Sequence, residues 1–426
     1  HILTPSWKRS VAVRGLALLI VLWLLVVLAV SAVFVIQAVR LENAARQIAC
    51  ERVQARWLAR AGIQQARAAL GQDANTTDNE NDPWCKGGDS FKKVLLGEGT
   101  FSVYRDYSEV DGDALGGGVR DEASRLNINT VTQENLLRLK DITPEIAAEL
   151  LRERDIHPFY SLREIAQRTN LSMELLYGED ANLNGRLDDN EDDGDLRPPE
   201  DDRDGQLERG ILAWLTVYSY ERNVDGLERP RININTASFD TLCLELQLPE
   251  PMARWIIENR ATGFATIADV LADEPVSRAH EAQAAATAAQ EEPPAVLPLT
   301  LGEFRRIADR ITVTDDEILP GRININTAPR EILATLPGLD ESLAGHICSF
   351  RQTLPYGFQT IAEVLDLPDM TIARFKPLAP RITVRSNVFT IHSIGRVGDA
   401  GMFHEIEAVL DRGADPANLL YWRETR

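Results

Sequence analysis

The longest apolar run in the chain extends from Leu16 to Ile36 and contains no charged residue, no Pro and no Gly. At about 1.5 Å per residue, a helix of about 21 residues is about 31 Å long, which matches the hydrocarbon core of a bilayer. Lys8, Arg9 and Arg14 precede the run. Since basic residues flank the cytoplasmic end of a membrane helix, the pattern predicts one membrane span with the N-terminal end in the cytoplasm. A cleaved secretory signal is the alternative, although its apolar core is usually shorter.

The helical pattern continues past the apolar run to about Leu70, with no Pro and one interior glycine, Gly62. The sequence therefore predicts one helix from Leu16 to about Leu70, roughly 80 Å long. Its first half is apolar all round and its second half is amphipathic. Apolar residues recur there at steps of three to five along one stripe, formed by Leu41, Ala45, Ile48, Val53, Trp57 and Ala61.

Three later segments alternate apolar and polar residues as strands do. The first is Thr100–Val110, and the others are 386–399 and 401–412, which a glycine-containing turn at Gly398–Gly401 joins. We expect the C-terminal pair to align with the first strand and to pack on the long helix. The fold class is then α+β, with a large helical region inserted between the strands.

An internal repeat occupies the middle of the chain. Three segments align without gaps, each preceded by Asn-Ile and each ending at Arg; they are 129–154, 235–260 and 326–351. An aromatic residue and a short helical pattern follow each copy. In the third copy we expect Thr327 to cap a helix, Pro337-Gly338 to end it, and a second helix to run from about Glu341 to Phe350.

Each copy resembles the helix-hairpin-helix motif, whose usual function is to hold DNA phosphates on backbone N–H groups. Such hairpins favour a Gly-hydrophobic-Gly turn. The turns here contain Gly338-Leu339-Asp340, Ile142-Thr143-Pro144 and Leu248-Pro249-Glu250, and no basic cluster surrounds them. The net charge of −20 also opposes binding to a nucleic-acid backbone. The repeats are therefore predicted to be packing modules, with no nucleic acid as partner.

A calcium site is predicted from Asp180 to Glu191, where DANLNGRLDDNE follows a short helical pattern and matches an EF-hand loop. The acidic twelfth position is Glu191, and Gly185 is at the sixth position, where the chain must turn sharply. The remaining predicted ligands are Asp180, Asn182, Asn184, the carbonyl of Arg186, and Asp188. The alternative is an acidic surface loop that binds no metal.

The residues after this loop form a poor helix, which favours a structural Ca²⁺ over a signalling one. A second, less complete pattern follows at Glu200, Asp202, Asp204 and Gly205, but its twelfth position is Ile211, which cannot bind a metal. The number of ions stays open. So does the pairing of the cysteines, because four of them allow three pairings and all can also be free thiols; they are Cys50, Cys85, Cys243 and Cys348.

No catalytic set emerges. His157, His392 and His404 have no partner at a telling spacing, and no Ser or Cys lies in a nucleophile motif. We therefore expect a protein that is not an enzyme.

The N-terminal segment resembles that of type IV pilin-like subunits, in which a basic leader ends in Gly and an apolar helix follows. Here the leader ends at Gly15, the helix starts at Leu16, and the fifth position, usually Glu, is Ile20. The segment without that Glu resembles the minor pseudopilin of type II secretion, general secretion pathway protein K. A buried Glu requires a partner in a neighbouring subunit, so a subunit without it suits the tip of a pilus.

The resemblance implies cleavage by prepilin peptidase between Gly15 and Leu16, methylation, and an inner-membrane protein whose bulk is periplasmic. It also implies the other minor pseudopilins as partners, and calcium binding is common among pseudopilins. The expected divisions are a leader, a transmembrane helix, the pseudopilin helix with its first strands, the helical insert with the calcium loop, and the closing strands, at 1–15, 16–36, 37–125, 126–384 and 385–426. A membrane-anchored DNA-binding protein of competence type is the alternative, based on the hairpins.

Overall fold

A single long helix dominates the N-terminal part of the computed structural model, which describes residues 10–73, 76–105, 117–185, 187–188, 191–199, 201–271, 296–398, 402–414 and 416–425. The helix, α1 (Ser10–Gln72), continues without a break from the apolar run into the folded part of the chain. Gly15 and Leu16 both lie within it. The predicted helix is confirmed, and it begins earlier than expected.

The main sheet is antiparallel, with strand order β1-β2-β4-β5-β6 and a short β3 that also pairs with β4. Its strands are β1 (Val94–Leu96), β2 (Gly99–Tyr104), β3 (Arg120–Asp121), β4 (Val388–Val397), β5 (Met402–Asp411) and β6 (Asn418–Thr425). The expected pairing of β4 with β5 and β2 is confirmed. The first strand ends at Tyr104, and 106–116 lie outside the described residues. The edge strand β6 is an addition to the prediction.

The second half of α1 packs on this sheet through small residues. Gly62 lies so close to Ser393 that a Cβ on the glycine would be 2.1 Å from the Ser393 Oγ. A Cβ on Gly395 would be 2.1 Å from the carbonyl oxygen of Ala55. The buried helix face comprises Ala55, Leu58, Ala59, Ile63, Ala66 and Leu70, and it joins the sheet in one hydrophobic cluster.

Most of the apolar stripe noted in the sequence does not face the sheet. Leu41, Ile48, Val53 and Trp57 are exposed, Trp57 by 61%, whereas Ala61 packs against the cluster. On the face that packs, alanine and glycine make the closest contacts with the sheet, and Leu58, Ile63 and Leu70 pack around them.

The helical insert forms a second hydrophobic cluster, drawn from residues between Leu126 and Val384. Its α-helices are Gln133–Leu136, Pro144–Ile156, Leu162–Arg168, α5 (Met173–Tyr177), Glu250–Asn259, Leu301–Ile307, Arg330–Ala334, Glu341–Thr353 and Ile372–Leu378. Residues 241–245 form a π-helix in the second copy. The Ala- and Gln-rich stretch at 277–295 lies outside the described residues.

Each repeat begins and ends in a two-residue parallel strand pair. The pairs join Leu126–Asn127 to Leu215–Thr216, Ile232–Asn233 to Ile311–Thr312, and Ile323–Asn324 to Ile382–Thr383. The returning strand reads Leu-Thr-Val once and Ile-Thr-Val twice. A short antiparallel pair, Tyr220–Arg222 with Ile318–Pro320, links the copies.

The repeated Asn and Arg have the same structural function in every copy. The side-chain amide of Asn326 accepts from the Phe358 N–H at 2.7 Å and donates to its carbonyl at 3.0 Å. Asn129 and Asn235 bind the equivalent aromatic residues in the same way. Arg351 donates to the Ala328 carbonyl at 2.6 Å, and Arg154 and Arg260 make the matching contact. These residues close the hairpins internally.

One group of polar contacts between the insert and the rest of the chain, called the seam below, surrounds Asp121 of β3 and the adjacent Glu122. Its Oδ2 accepts hydrogen bonds from Thr327 at 2.5 Å, Ser386 at 2.7 Å and Asn324 at 3.0 Å. Thr327 therefore does not cap a helix as expected; Pro329 is at that position. Glu122 accepts from the hydroxyls of Thr216 and Thr390.

Candidate functional site: the predicted calcium loop and the hairpin turns

The predicted calcium loop follows α5, a one-turn helix that Ser172 caps by accepting from the Leu175 N–H. Gly178 ends this helix at φ +62°. A bridge from Gly178 to Arg209 and a hydrogen bond from the Glu208 N–H to the Glu179 carboxylate hold the entrance of the loop. These contacts fix the chain at the N-terminal end of the loop.

The first carboxylate of the loop accepts two backbone N–H groups. Asp180 Oδ1 accepts from Asn184 at 2.9 Å, and its Oδ2 accepts from Gly185 at 2.8 Å. The side-chain oxygen of Asn182 also accepts from the Asn184 N–H, at 2.9 Å. Gly185 has φ +73°, which supplies the sharp turn expected at the sixth position.

The last carboxylate of the loop returns to its start. Glu191 accepts from the Asp188 N–H at 3.1 Å and from the Asn182 N–H at 3.3 Å. The amide groups of Asn182 and Asn184 both donate to Asp188 Oδ2 at 3.0 Å. Five of the six predicted ligands therefore lie in one hydrogen-bonded ring, and the sixth, Arg186, lies outside the described residues.

The surroundings of Glu191 disfavour its negative charge. Burial raises the pKa of Glu191 to about 7, and the neighbouring charges of Asp180 and Asp188 add to the shift. Asp180, Asn184 and Glu191 are all less than 5% exposed. Carboxylate and amide oxygens held in one short loop are donors of the type that a hard divalent cation such as Ca²⁺ prefers.

The second acidic segment does not close in this way. Asp202 and Asp204 are exposed and accept from backbone groups two residues ahead. Ile211, at the twelfth position, is buried in the hydrophobic cluster of the insert. Glu200 lies outside the described residues. The arrangement of Asp202 and Asp204 is that of ordinary turns.

The hairpin turns differ from the predicted register by one residue. The positions equivalent to Gly338 are Asp141 and Gln247, and all three have positive φ, at +82°, +64° and +55°. Thr143 and Asp340 then cap the second helix of their hairpins by accepting from the third N–H beyond them. Asp340 also pairs with Arg374 at 3.1 Å. In the third copy, the carboxylate of Asp340 therefore occupies the position at which a DNA-binding hairpin would hold a phosphate.

An acidic cluster that sequence reasoning missed lies just after α1. Asp73, Asp78 and Asp82 place carboxylate oxygens within 4.8 Å of one another. Arg412 pairs with Asp78 at 2.7 Å and with Asp73 at 3.1 Å. The cluster is thus part of a buried ion-pair network between the end of α1 and the end of β5. The density of acids at 73–82 was its only sequence signal.

All four cysteines lie in the described residues, and none is bonded to another. Cys85 is fully buried, and burial raises the pKa of its thiol to about 12. His157 contacts the guanidinium of Arg168, and His404 contacts Glu424. His392 stacks on Tyr104. Each of these histidines contacts a neighbouring side chain. These contacts do not test the expectation that the protein is not an enzyme.

A family model for the helix-hairpin-helix motif matches residues 321–383, the third copy of the repeat and its closing strand. No curated protein matches the chain. A solved structure with some likeness is titled "The Crystal Structure of the GspK-GspI-GspJ complex from enterotoxigenic Escherichia coli Type 2 Secretion System". The sequences are 14% identical, the match covers 91% of this chain and 99% of that chain, and the TM-score is 0.36. A likeness of this size does not establish a shared fold.

Proposed function

We propose that this chain is a minor pseudopilin of a type II protein secretion system, which caps the tip of a periplasmic pseudopilus. The observation that carries the proposal is the geometry of α1. Residues 16–50 are exposed along the whole length of the helix, and Leu24 and Val27 are typical of its apolar surface. From Ala55 onward the same helix is a layer of the helix-on-sheet core.

Such an arrangement suits a subunit that leaves the membrane to enter a filament. The mean hydropathy of the most apolar window of α1 is 3.2, and the helix is long enough to cross a bilayer. Because the helix is continuous from its apolar half to its packed half, it connects the folded part rigidly to the membrane anchor. The exposed apolar half can exchange lipid for neighbouring helices at little cost in buried apolar area.

The tip position is supported by two further features. Ile20 stands where most such subunits carry a Glu, so this helix has no buried acid that needs a partner above it. The insert adds bulk beside the sheet, which would obstruct another subunit stacked on the same side. Processing between Gly15 and Leu16 and a periplasmic location of the folded part belong to the same proposal.

Co-purification tests the proposal. The full chain, extracted in detergent from cells that also express the other minor pseudopilins of its system, is expected to elute with them. Val27→Arg, on the exposed half of α1, should abolish this association, whereas Lys140→Gln on the insert surface should not. A chain that elutes alone in both forms would contradict the proposal.

The competence-type alternative predicts DNA binding instead. The side-chain caps of Thr143 and Asp340 occupy helix N–H groups that a phosphate would need. Fluorescence anisotropy with duplex DNA separates the two functions, because micromolar, salt-sensitive binding would favour the alternative.

We also propose that the loop from Asp180 to Glu191 binds one structural Ca²⁺ through the predicted ligands. Calorimetric titration of the full chain with CaCl₂ is expected to show binding that Glu191→Gln weakens by about tenfold or more. Asp204→Asn, in the exposed second segment, is the matched control and should change little. Equal calcium binding by the Glu191 variant would rule out this site.

A further inference from the structure

The edge strand β6 touches two distant parts of the molecule with two adjacent residues. Successive side chains of a strand point to opposite faces of the sheet. Arg423 therefore points toward the insert, and Glu424 points toward α1. Their contacts place β6 between the predicted calcium loop and the long helix.

On the insert side, Arg423 binds the calcium loop directly. Its Nη2 donates to the backbone carbonyl of Asn182 at 2.7 Å, while its Nε pairs with Glu407 of β5 at 2.8 Å. Arg163 donates to the same Asn182 carbonyl at 3.0 Å. Asn182 thus turns its side chain into the ring of predicted ligands and its carbonyl toward the sheet.

On the helix side, Glu424 is the centre of a polar cluster. It pairs with Arg56 at 2.7 Å and with Arg60 at 3.1 Å, both on α1. Trp422 and His404 also contact its carboxylate, at 3.1 and 3.2 Å. The contacts with arginine lower the pKa of Glu424, chiefly through the hydrogen bond from Arg56.

We propose that β6 couples occupation of the calcium loop to the packing of the edge strand against α1. The proposal rests on the calcium site proposed above. Without a cation, the charges of Asp180 and Asp188 repel that of Glu191, and we expect this repulsion to displace the Asn182 carbonyl. A bound cation holds that carbonyl in place, so Arg423 and the strand that carries it are held as well.

The coupling gives calcium a function beyond the stability of the insert. The insert and the membrane-proximal helix meet the same strand, and β6 is the outermost strand of the sheet at this edge. Calcium then fixes the insert relative to the helix that carries it. A subunit that loses the ion keeps its sheet but loosens this edge.

Hydrogen exchange measured by mass spectrometry tests the coupling on the full chain in detergent, with CaCl₂ or with EGTA. We expect calcium to slow exchange about tenfold both in peptides that cover the loop and in peptides that cover Asn418–Thr425. In Arg423→Gln, calcium should still protect the loop but no longer the strand. Arg152→Gln, an exposed arginine of the insert, is the matched control and should behave as the natural chain does.

The outcomes are distinct. Protection of the loop by calcium with unchanged exchange in Asn418–Thr425 would overturn the coupling and leave the calcium site standing. Equal protection of the strand in Arg423→Gln would overturn the assigned route. Failure of CaCl₂ to protect either segment would overturn the calcium site and the coupling together, without bearing on the association of the chain with other pseudopilins.

Discussion

Toward α1, the main sheet presents Phe389 and Ile391, which belong to the hydrophobic cluster shared with the helix, and Ser393 and Gly395, which approach Gly62 and Ala55 closely. Toward the insert, it presents Thr390 and the carboxylates of β3 and the turn after it, which meet hydroxyl and amide groups. The first interface is mostly apolar and close-packed, and the second is buried but polar. Packing of the first kind is insensitive to pH, whereas hydrogen-bonded carboxylates bring both geometric specificity and a dependence on protonation. The four predictions below test this contrast.

The largest effect is expected at the ion-pair network beside the seam. Arg412→Met leaves Asp78, which is fully buried, without its cation. Breaking a buried pair from one side costs roughly 3–5 kcal/mol, because the remaining charge is uncompensated. Urea unfolding of the full chain in detergent should show this loss. Arg46→Met, at an exposed pair with Glu42, is the control and should cost no more than about 0.5 kcal/mol.

A somewhat smaller loss is expected at the apolar interface between α1 and the sheet. Gly395→Ala places a Cβ 2.1 Å from the Ala55 carbonyl and 2.5 Å from the Ala59 nitrogen. Since both neighbours are backbone atoms of α1, the helix must move away, at a cost of about 2–3 kcal/mol. Gly302→Ala, with no atom within 4 Å of the added carbon, is the matched control and should be neutral or slightly stabilising, because Gly302 lies in a helix. A stable Gly395 variant would mean that α1 does not pack as closely as described.

The seam should also make stability depend on pH. Burial raises the pKa of Asp121 to about 6, above its ordinary value of 3.8. Between pH 3.8 and about pH 6, Asp121 is protonated in the folded chain and ionised in the unfolded chain. Stability from this group is therefore greatest below about pH 4 and falls by roughly 2–3 kcal/mol as the pH rises through 6.

Asp121→Asn isolates this contribution, because the variant has no carboxyl to titrate at that position. Asp82 has a raised pKa of the same sign, so some decline remains in the variant. Thermal unfolding between pH 4 and 7 should show a shallower decline for Asp121→Asn than for the natural chain. The stability of the Gly395→Ala variant should depend on pH as that of the natural chain does. A changed pH dependence in this variant would contradict the distinction between the two faces of the sheet.

The sequence predicted the elements of the apolar interface between α1 and the sheet better than the contacts of the seam. Local periodicity was sufficient for α1, for the β4–β5 hairpin and for the hairpin repeat. The seam joins Asp121 to Thr327, which are 206 positions apart, and no local sequence pattern predicts such a pair. The helix cap expected at Thr327 failed for this reason, since its hydroxyl binds Asp121 instead.

The predicted calcium loop was the part of the candidate site most open to prediction, because its proposed ligands lie within twelve consecutive positions. The contact of that loop with Arg423 was not predictable, since it spans 241 residues. Strand β6 itself has a weak signal, with Leu419 and Leu420 adjacent and both exposed. Its existence depends on pairing with β5, a tertiary effect that outweighs local pattern.

The smallest effect is expected at Trp57, a member of the apolar stripe noted in the sequence. Trp57 is the largest side chain in that stripe, yet it is exposed, and the guanidinium of Arg60 lies 5.2 Å from the centre of its ring. Trp57→Ala should cost no more than about 1 kcal/mol. Leu58→Ala, at the neighbouring position, removes a side chain that is 6% exposed and should cost about 2–4 kcal/mol. Urea unfolding of the two variants measures the difference. If the tryptophan variant were the less stable of the two, α1 would be rotated by about one residue on the sheet, and the small residues at Ala55, Ala59 and Gly62 would no longer account for its close approach.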